Sequence, residues 1–254
     1  MSGAVQQNSK PAIEFISVSK SFGARAVLKD VSFSIAAGTA FVLLGRSGTG
    51  KSVTLKLMCG LLKADSGAVR INGKDITNLD SNQLSSTRLH IGFLFQSAAL
   101  FDSISVGENV AFPLRRYSKK TDAEIRDQAA SLLDKVGLGK EYASMPADLS
   151  GGMRKRAGLA RALAVDPSIL LVDEPSAGLD PITSKEIDQL LIDINKISHA
   201  TLAVVTHNIP SARRIADHMA FLDDGLLLEQ GTVQELEQSE HQLVRDFMES
   251  QQAG

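Results

Sequence analysis

Two glycine-rich segments stand out in this chain because glycine recurs in them at fixed spacing beside lysine or serine. The first fits Gly-x-x-x-x-Gly-Lys-Ser/Thr and consists of Gly45, Arg46, Ser47, Gly48, Thr49, Gly50, Lys51 and Ser52. Its glycines let the backbone curl so that successive N–H groups point at phosphate oxygens. Lys51 brings positive charge to the β- and γ-phosphates, and the Ser52 hydroxyl is a ligand for Mg²⁺. The segment predicts binding of ATP with Mg²⁺, and we include the following Val53 among the nucleotide contacts.

The second glycine-rich segment begins a predicted helix with Ser150, Gly151 and Gly152. A helix N-terminus is another favourable place for an anion. Ser150 lies 99 positions after Lys51, and one nucleotide does not need two such distant termini. A head-to-tail dimer explains both, because the loop of one subunit and the Ser150 segment of the other would enclose each ATP. The basic run 154–156 either adds positive charge to that site or forms an ordinary solvated helix face.

An acidic pair follows an apolar run further along the chain. The run 169–172 predicts a buried strand, and Asp173 at its end would reach the magnesium ion through water. Glu174 faces differently and is placed to polarise a water for in-line attack on the γ-phosphate. His207 follows another predicted strand, at a sheet edge where ligands bind, which makes it a candidate γ-phosphate sensor or transition-state clamp. We expect Glu174, His207 and Lys51 to carry hydrolysis; a surface acidic pair and a structural histidine are the alternatives.

Length and composition limit the classes open to this chain. With 254 residues and 43% hydrophobic content, it suits one large α/β domain with a full core. The net charge of −2 gives no general attraction to nucleic acid or to an anionic membrane. Cys59 is the single cysteine, which excludes an internal disulfide and favours a reducing compartment. No apolar run approaches the ~20 residues that span a bilayer, so we expect any membrane role to come through a partner.

Short apolar runs alternate with helical patterns, as in a mostly parallel sheet. The predicted strands cover 13–18, 31–35, 40–44, 91–95, 169–173 and 201–205. A helix is expected to begin at Lys51 and to run through Leu61. The capping box Thr121-x-x-Glu124 predicts another helix, which Gly137 ends.

These elements predict an α/β P-loop core, with an antiparallel N-terminal β part and an inserted helical subdomain. We place the subdomain at about 97–165, because helical patterns dominate between the two glycine-rich segments. The predicted divisions are a polar lead over 1–11, the ATPase domain over 12–236 and a helical tail over 237–254.

Taken together, the motifs resemble the ATPase subunit of ATP-binding cassette (ABC) transporters over about residues 13–235. Gly45–Ser52 resembles the family's Walker A motif, Leu149–Met153 its signature motif, and Ile169–Asp173 its Walker B motif. Met153 stands where the family usually has glutamine, and this need not harm ATP binding because backbone N–H groups and a serine make the contacts. The resemblance implies the cassette fold and ATP hydrolysis coupled to transport.

Further site residues follow from the same resemblance. Glu174 falls on the family's catalytic glutamate, Ser176–Asp180 on its D-loop, and His207 on its switch histidine. Gln96 falls on the Q-loop, which in the family touches both magnesium and the membrane partner. Phe22 falls on the aromatic residue that stacks on adenine, although a core position would explain it equally well from the sequence. The implied metal ligands are Ser52, Gln96 and Asp173.

A narrower resemblance is to the Mla-type branch that serves MCE lipid-transport systems. The segments that carry it are 94–101, 109–115, 151–157 and 179–183. It implies movement of phospholipid or a related lipid across a bacterial envelope, by a homodimer bound to the cytoplasmic face of an inner-membrane permease. An MCE-domain substrate-binding protein and a small regulatory subunit would be further partners, and no nucleic acid is expected.

Other functions compete with this interpretation. An ABC transporter for a different substrate is the nearest alternative. A soluble DNA-repair ATPase with the same cassette would carry a long coiled coil between the glycine-rich segments, and no heptad run is present. A non-hydrolysing regulatory cassette would be expected to lack Glu174 or His207, and a P-loop kinase would not need the Ser150 segment.

Two predictions concern surfaces. The region 96–116 contains more apolar side chains than a solvent-facing segment needs, and we expect it to contact the membrane subunit, although a subdomain core would explain about half of them. In the tail, Leu243, Val244, Phe247 and Met248 fall on one helical face. We expect that face to dock on a partner, with the second copy favoured over the chain's own domain.

Overall fold

Two β-sheets organise the chain in the computed structural model, which describes residues 11–250. The smaller sheet is antiparallel, with the order β2-β1-β4-β5. Its strands are β1 (Pro11–Phe22), β2 (Arg25–Ala36), β4 (Ser66–Ile71) and β5 (Lys74–Asp75). The predicted polar lead lies outside the described residues, except for Pro11.

The larger sheet has six strands in the order β10-β9-β3-β8-β7-β6. They are β3 (Ala40–Leu44), β6 (Ile91–Leu94), β7 (Ile169–Asp173), β8 (Thr201–Thr206), β9 (His218–Asp223) and β10 (Leu226–Gly231). All neighbours are parallel except β10, which runs antiparallel to β9. The carboxyl ends of β3, β7 and β8 therefore meet at one edge, where ligands of such sheets bind.

Helices connect and cover these strands. Those of the described residues are α1 (Lys51–Met58), α2 (Ser81–Arg88), α3 (Val106–Tyr117), α4 (Asp122–Lys135), α5 (Gly151–Ala162), α6 (Pro181–Ser198), α7 (Ile209–Ile215), α8 (Val233–Glu237) and α9 (Gln242–Glu249). The predicted α/β fold with its inserted helices is confirmed.

Local sequence explains where several helices begin and end. The predicted capping box of α4 is present: Thr121 accepts from the backbone N–H of Glu124, whose carboxylate accepts from the N–H of Thr121. Gly137, with φ +75°, lies just beyond that helix. Helix α1 begins at Lys51 as predicted but ends at Met58, before Leu61, because the chain turns at Gly60 with φ +66°.

Buried side chains form three clusters. One lies between the two sheets and includes α1, and a second packs α6, α7 and α9 against the opposite face of the larger sheet. The third joins α3, α4 and α5 around residues such as Val110 and Leu133. These three helices therefore have a core of their own, as the proposed inserted subdomain requires.

The prediction that the apolar face of the tail docks on a second copy is wrong. In α9, Val244 and Met248 are fully buried within the chain's own second cluster. The ring of Phe247 packs edge-on against Phe221 of β9, with centroids 4.9 Å apart. Arg213 of α7 also donates to the Met248 carbonyl at 3.0 Å. The apolar face of α9 is thus covered by the domain from which it extends.

Candidate nucleotide site

A cavity of about 570 Å³ lies at the carboxyl edge of the larger sheet. It is lined by Phe22, Arg25, Val27, Ser47, Gly48, Gly50, Lys51, Ser52, Val53, Gln96, Glu174 and His207. Its volume is in the range of small-molecule and cofactor sites, roughly 300–1,000 Å³. The fold thus brings together residues predicted from widely separated parts of the sequence.

The phosphate loop connects β3 to α1 and depends on two glycines for different reasons. At Gly45, φ is +157° and a Cβ would lie 2.2 Å from the Leu222 carbonyl oxygen, so β9 leaves no room for a side chain. At Gly48, φ is +81° and a Cβ would meet no atom within 4 Å, because this glycine faces open space at the cavity. The loop is therefore a cradle that phosphate oxygens can enter.

Lys51 begins α1 with its side chain almost fully buried. Its ammonium donates to the carbonyls of Gly45 and Arg46, at 2.8 and 2.9 Å, and lies 3.8 Å from Glu174 Oε1. Burial lowers the pKa of Lys51, while the Glu174 and Asp173 carboxylates oppose that shift. The cation is thus held inside the loop, beside the cavity that it lines.

The hydroxyl of Ser52 donates to Asp173 Oδ1 at 3.0 Å, which joins α1 to the end of β7. Burial raises the pKa of Asp173, and the Ser52 hydrogen bond opposes that rise. Hydroxyl and carboxylate oxygens suit Mg²⁺, which binds few protein groups and keeps water and phosphate ligands. Among residues 11–250, no group of three or more His, Cys, Asp or Glu side chains is arranged to hold a metal ion. Ser52 and Asp173 fit an ion that takes its remaining ligands from a nucleotide and from water.

Glu174 has the left-handed backbone angle φ +47° directly after β7. Its Oε1 lies 2.9 Å from His207 Nδ1, and its Oε2 accepts from the Thr206 hydroxyl at 3.0 Å. Glu174 is buried, whereas the His207 ring is half exposed. The end of β8 thus holds the carboxylate and a histidine at the cavity wall.

Gln96 and Phe22 line the same cavity from the β6 side and from the end of β1. The Phe22 side chain is 48% exposed, so it is available for stacking and is not a core residue. Lys20 Nζ lies 5.5 Å from its ring centroid. Gln96 also borders a neighbouring cleft together with Asp173.

Ser150, Gly151 and Gly152 are not among the residues that line this cavity. The Ser150 hydroxyl caps α5 by accepting from the Met153 N–H at 3.2 Å. Within one chain, the second glycine-rich segment therefore has no contact with the first site. Its predicted role in the site of a second copy stays a prediction.

The basic run 154–156 is only partly a solvated helix face, because Arg154 is exposed, Arg156 is half-buried and Lys155 is buried. Arg154 donates to the Leu149 carbonyl at 2.6 Å, and Arg156 pairs with Glu186 at 2.7 Å. Lys155 is buried and donates to the Glu174 carbonyl at 2.8 Å, and burial lowers its pKa. Each cation thus has a partner within its own chain, and its contribution to the site of a second copy stays a prediction.

Sequence reasoning missed three contributors to the site and did not place Lys155 on Glu174. Arg25 and Val27 line the cavity, and an Arg25 guanidinium nitrogen lies 3.4 Å from the Gly48 carbonyl oxygen. Thr206 and Lys155 each hold Glu174, through its side chain and its carbonyl respectively. Thr206 directly precedes His207, which was the available signal; the others depend on packing between distant segments.

Comparison with known proteins decides the family. Residues 28–177 match the ABC transporter family. The chain is 45% identical over 243 residues to the probable ribonucleotide transport ATP-binding protein mkl of Mycobacterium leprae, spanning 96% of this chain and 70% of that protein. The chain belongs to the ABC transporter ATP-binding family. It is accordingly an ATPase, and ATP is its substrate.

Two further relatives extend the comparison. The ATPase is 41% identical to the chloroplastic protein TRIGALACTOSYLDIACYLGLYCEROL 3 of Arabidopsis thaliana, over 96% of this chain and 75% of that one. It superposes on the ATP-binding cassette MJ0796 with a TM-score of 0.81 and 33% identity, covering 87% of this chain and 98% of the other. That structure is described as a dimer in a post-hydrolysis state with ADP and Pi. None of the helices within residues 11–250 combines the length and the hydropathy of a membrane span.

Proposed function

We propose that this ATPase powers the transport of phospholipid, or of a related lipid, across a bacterial envelope. It would act as a head-to-tail dimer on the cytoplasmic face of an inner-membrane permease. The observation that carries the proposal is the cavity itself, in which the phosphate loop, Glu174 and His207 meet beside Gln96. The lipid assignment depends on the Mla-type segments and on one relative.

Within one chain, the residues of the cavity account for phosphate binding, base stacking and activation of the attacking water. The loop N–H groups and Lys51 hold the phosphates, and Phe22 stacks on the base. Ser52, Asp173 and Gln96 would hold Mg²⁺, which neutralises charge on the phosphate oxygens when it is bound. Glu174 orients the attacking water and accepts its proton. His207, which contacts Glu174, steadies the γ-phosphate.

A second copy would complete the site. Each cavity lacks the Ser150 segment of its own chain. The α5 N-terminus of the other subunit would supply anion-binding N–H groups from the opposite side. The dimeric form of the similar cassette supports this arrangement.

The surface proposed for the permease lies on the loop before α3 and on α3 itself. Phe101 and Phe112 are 45% and 50% exposed, and their ring centroids are 5.0 Å apart. The buried Asn109 fixes this loop by accepting from the Phe101 N–H at 2.7 Å and donating to its carbonyl at 3.0 Å. Other apolar residues of the region, including Val106 and Leu114, are core residues of the α3–α5 cluster. An exposed aromatic pair on a rigid loop suits a protein interface.

The cargo is proposed from two considerations. The segments 94–101 and 109–115, which resemble the Mla-type branch, include the aromatic pair and its Asn109 support. The name of the Arabidopsis relative refers to a glycolipid. The mycobacterial relative is named for ribonucleotide transport, which makes ribonucleotides the second candidate. An MCE-domain protein and a small regulatory subunit are proposed as further members of the complex.

The test isolates the complex from its native host through a tag on this chain, in mild detergent. The co-purifying subunits are identified by mass spectrometry and reconstituted in phosphatidylethanolamine–phosphatidylglycerol vesicles. We expect ATP-dependent movement of a fluorescent phospholipid and no uptake of radiolabelled UMP. A Glu174→Gln complex is the matched control, since it should assemble without moving lipid. UMP uptake with immobile phospholipid would replace lipid by ribonucleotide as the cargo.

A further inference from the structure

A buried polar network lies behind the nucleotide site, between α6 and α7. Asp188 of α6 and Ser211 of α7 are both 0% exposed, and Ser176, two residues after Glu174, is also buried. Arg214 of α7 reaches this network from a partly exposed position. Burying such groups is costly unless they are paired. The burial of these polar side chains must therefore be offset by the contacts that they make with one another.

The Asp188 carboxylate has two partners on α7. The Ser211 hydroxyl oxygen lies 2.9 and 2.8 Å from its two oxygens, and the Arg214 Nε and Nη2 donate to Oδ2 at 3.0 and 2.5 Å. The carboxylate thus accepts from a neutral and a charged donor. Charge-assisted bonds of this kind are the stronger ones. They join α6 to α7 at a fixed position.

Ser211 also connects this pair to the segment that follows Glu174. Its hydroxyl oxygen is 3.4 Å from the Ser176 hydroxyl oxygen. A serine hydroxyl has one hydrogen, which Ser211 gives to the carboxylate, so Ser176 is the donor in this contact. The distance exceeds the usual 2.7–2.8 Å for two oxygens, which makes this contact the most easily altered part of the network.

The network joins two elements that begin at the site. Helix α6 starts directly after 176–180, with Asp180 as its N-cap, and α7 starts after His207, with Asn208 as its N-cap. Stability alone does not explain a carboxylate buried at this interface, since apolar replacements of buried charged groups are often at least as stable. A positional role does explain it, because a shift of α6 against α7 would move 176–180 relative to His207.

We propose that Asp188, Ser211 and Arg214 are positioning residues for hydrolysis. Through Ser176, they hold the segment after Glu174 in register with the helix that follows His207. None of the three lines the nucleotide cavity, so the network acts on turnover and leaves nucleotide affinity nearly unchanged. The inference rests on the roles proposed above for Glu174 and His207, and does not depend on the transported cargo.

The test measures ATPase kinetics of Ser211→Ala, Ser176→Ala and the double variant in the assembled transporter. Each single change should lower kcat about 3- to 30-fold, with KM for ATP within about twofold, as expected for couplings of this kind. The double variant should lose little more than either single one, because both changes break the same contact. Asp188→Asn, which also weakens the Arg214 pair, should lower kcat at least as much.

Ser184→Ala is the matched control, since Ser184 is a buried serine one turn before Asp188 on the same helix. It should keep the normal kcat. Normal kcat in Ser211→Ala and Ser176→Ala would overturn the proposal, as would additive losses or a loss explained by a smaller folded fraction. If Asp188→Asn does not fold, the kcat values of Ser211→Ala and Ser176→Ala test the proposal without it.

His207→Ala separates this inference from the proposed function. If His207→Ala is inactive while Ser211→Ala and Ser176→Ala keep the normal kcat, only the positioning role of the network is overturned. Normal hydrolysis in His207→Ala would overturn the catalytic assignment, and the positioning role with it.

Discussion

At the scale of single residues, Glu174 is the best-supported candidate for the acid–base group. Its carboxylate contacts His207 and Thr206 and lies 3.8 Å from Lys51 Nζ. Its carbonyl accepts from Lys155. Groups from three separate segments thus fix this residue beside the phosphate loop, which is the preorganisation that phosphoryl transfer requires.

Replacing Glu174 by glutamine should stop turnover without removing the nucleotide. The amide keeps the size of the side chain but cannot accept a proton from water, so hydrolysis should fall roughly 10²- to 10⁴-fold. Nucleotide binding by fluorescence titration should stay close to normal, and the ATP-bound dimer should persist on gel filtration. Glu186→Gln, which alters a surface ion pair with Arg156, is the control. A near-normal rate would remove Glu174 from the mechanism.

Replacing Asp173 by asparagine should lower ATPase activity but raise the stability of the fold. Because burial raises its pKa, its ionised form is less favourable in the folded state than in the unfolded one. Asp173→Asn should therefore raise the unfolding temperature near neutral pH while ATPase activity falls. The gain should shrink as the pH falls through the raised pKa, where the native carboxyl is protonated.

Scanning calorimetry from neutral pH down to the ordinary pKa of aspartate, about 3.9, would test this pH dependence. Asp127→Asn, at an exposed position of α4, is the control and should leave the unfolding temperature nearly unchanged. A lower unfolding temperature for Asp173→Asn throughout this range would show that the carboxylate stabilises the fold.

At the scale of elements, α9 is a structural part of its own domain. Its buried Val244 and Met248 complete the cluster formed by α6, α7 and the larger sheet. Arg213 fixes its end through the Met248 carbonyl and pairs with Glu237 at 2.8 Å. The same helix packs on Phe221, next to the residue whose carbonyl crowds Gly45.

Shortening the Met248 side chain should therefore destabilise the isolated subunit. Met248→Ala should cost about 2–5 kcal/mol in the free energy of unfolding, as for other buried large-to-small changes. Chemical denaturation of the monomer measures this loss, with exposed Glu249→Ala as the control. Unchanged monomer stability together with a weaker dimer would restore the prediction that the tail docks on the second copy.

The loop before α3 should contribute to assembly without contributing to the ATP site. Phe101→Asp places a charge in the exposed aromatic pair, so the permease should be lost on co-purification. The ATPase activity of the isolated subunit should not change. Tyr117→Asp, at the far end of α3 and 58% exposed, is the control for adding a charge. Normal assembly and transport in Phe101→Asp would move the permease contact elsewhere.

At the scale of the whole molecule, the separation of the two glycine-rich segments is the central fact. The cavity contains the first and not the second, although both begin helices and both present backbone N–H groups. In the proposed head-to-tail dimer, the Ser150 segment of each copy would lie against the phosphate loop of the other. This proposal makes the active unit larger than the chain.

Mixing two inactive variants tests shared sites directly. Ser150→Arg and Lys51→Ala should each fail to trap nucleotide alone. A mixed dimer has one site built from two intact halves, so random mixing should restore roughly a quarter of the sites. Vanadate trapping of labelled nucleotide in the equimolar mixture measures the recovery. Mixed dimers are verified by pull-down through a tag carried by one variant only. No recovery in verified mixed dimers would count against shared sites, unless two intact sites are needed together.

The sequence alone determined the fold class and predicted the phosphate loop, the acidic pair and His207 as parts of one site. Gly45–Ser52, Asp173, Glu174 and His207 could be identified because each follows an apolar run that predicts a buried strand. Parallel strands with common carboxyl ends then leave one place for these residues. The capping box of α4 was equally clear, since it depends only on residues close in sequence.

The tertiary structure decided the features that depend on contacts between distant segments. The helical spacing of apolar residues in the tail shows that one face of the helix will be buried, but it does not identify the surface that buries it. In the structure, that surface is the chain's own second hydrophobic cluster. Lys155 looked like part of a basic surface until packing placed its ammonium on the Glu174 carbonyl. The network of Asp188 and Ser211 was likewise hidden, because each is an ordinary polar residue until two helices bring them together.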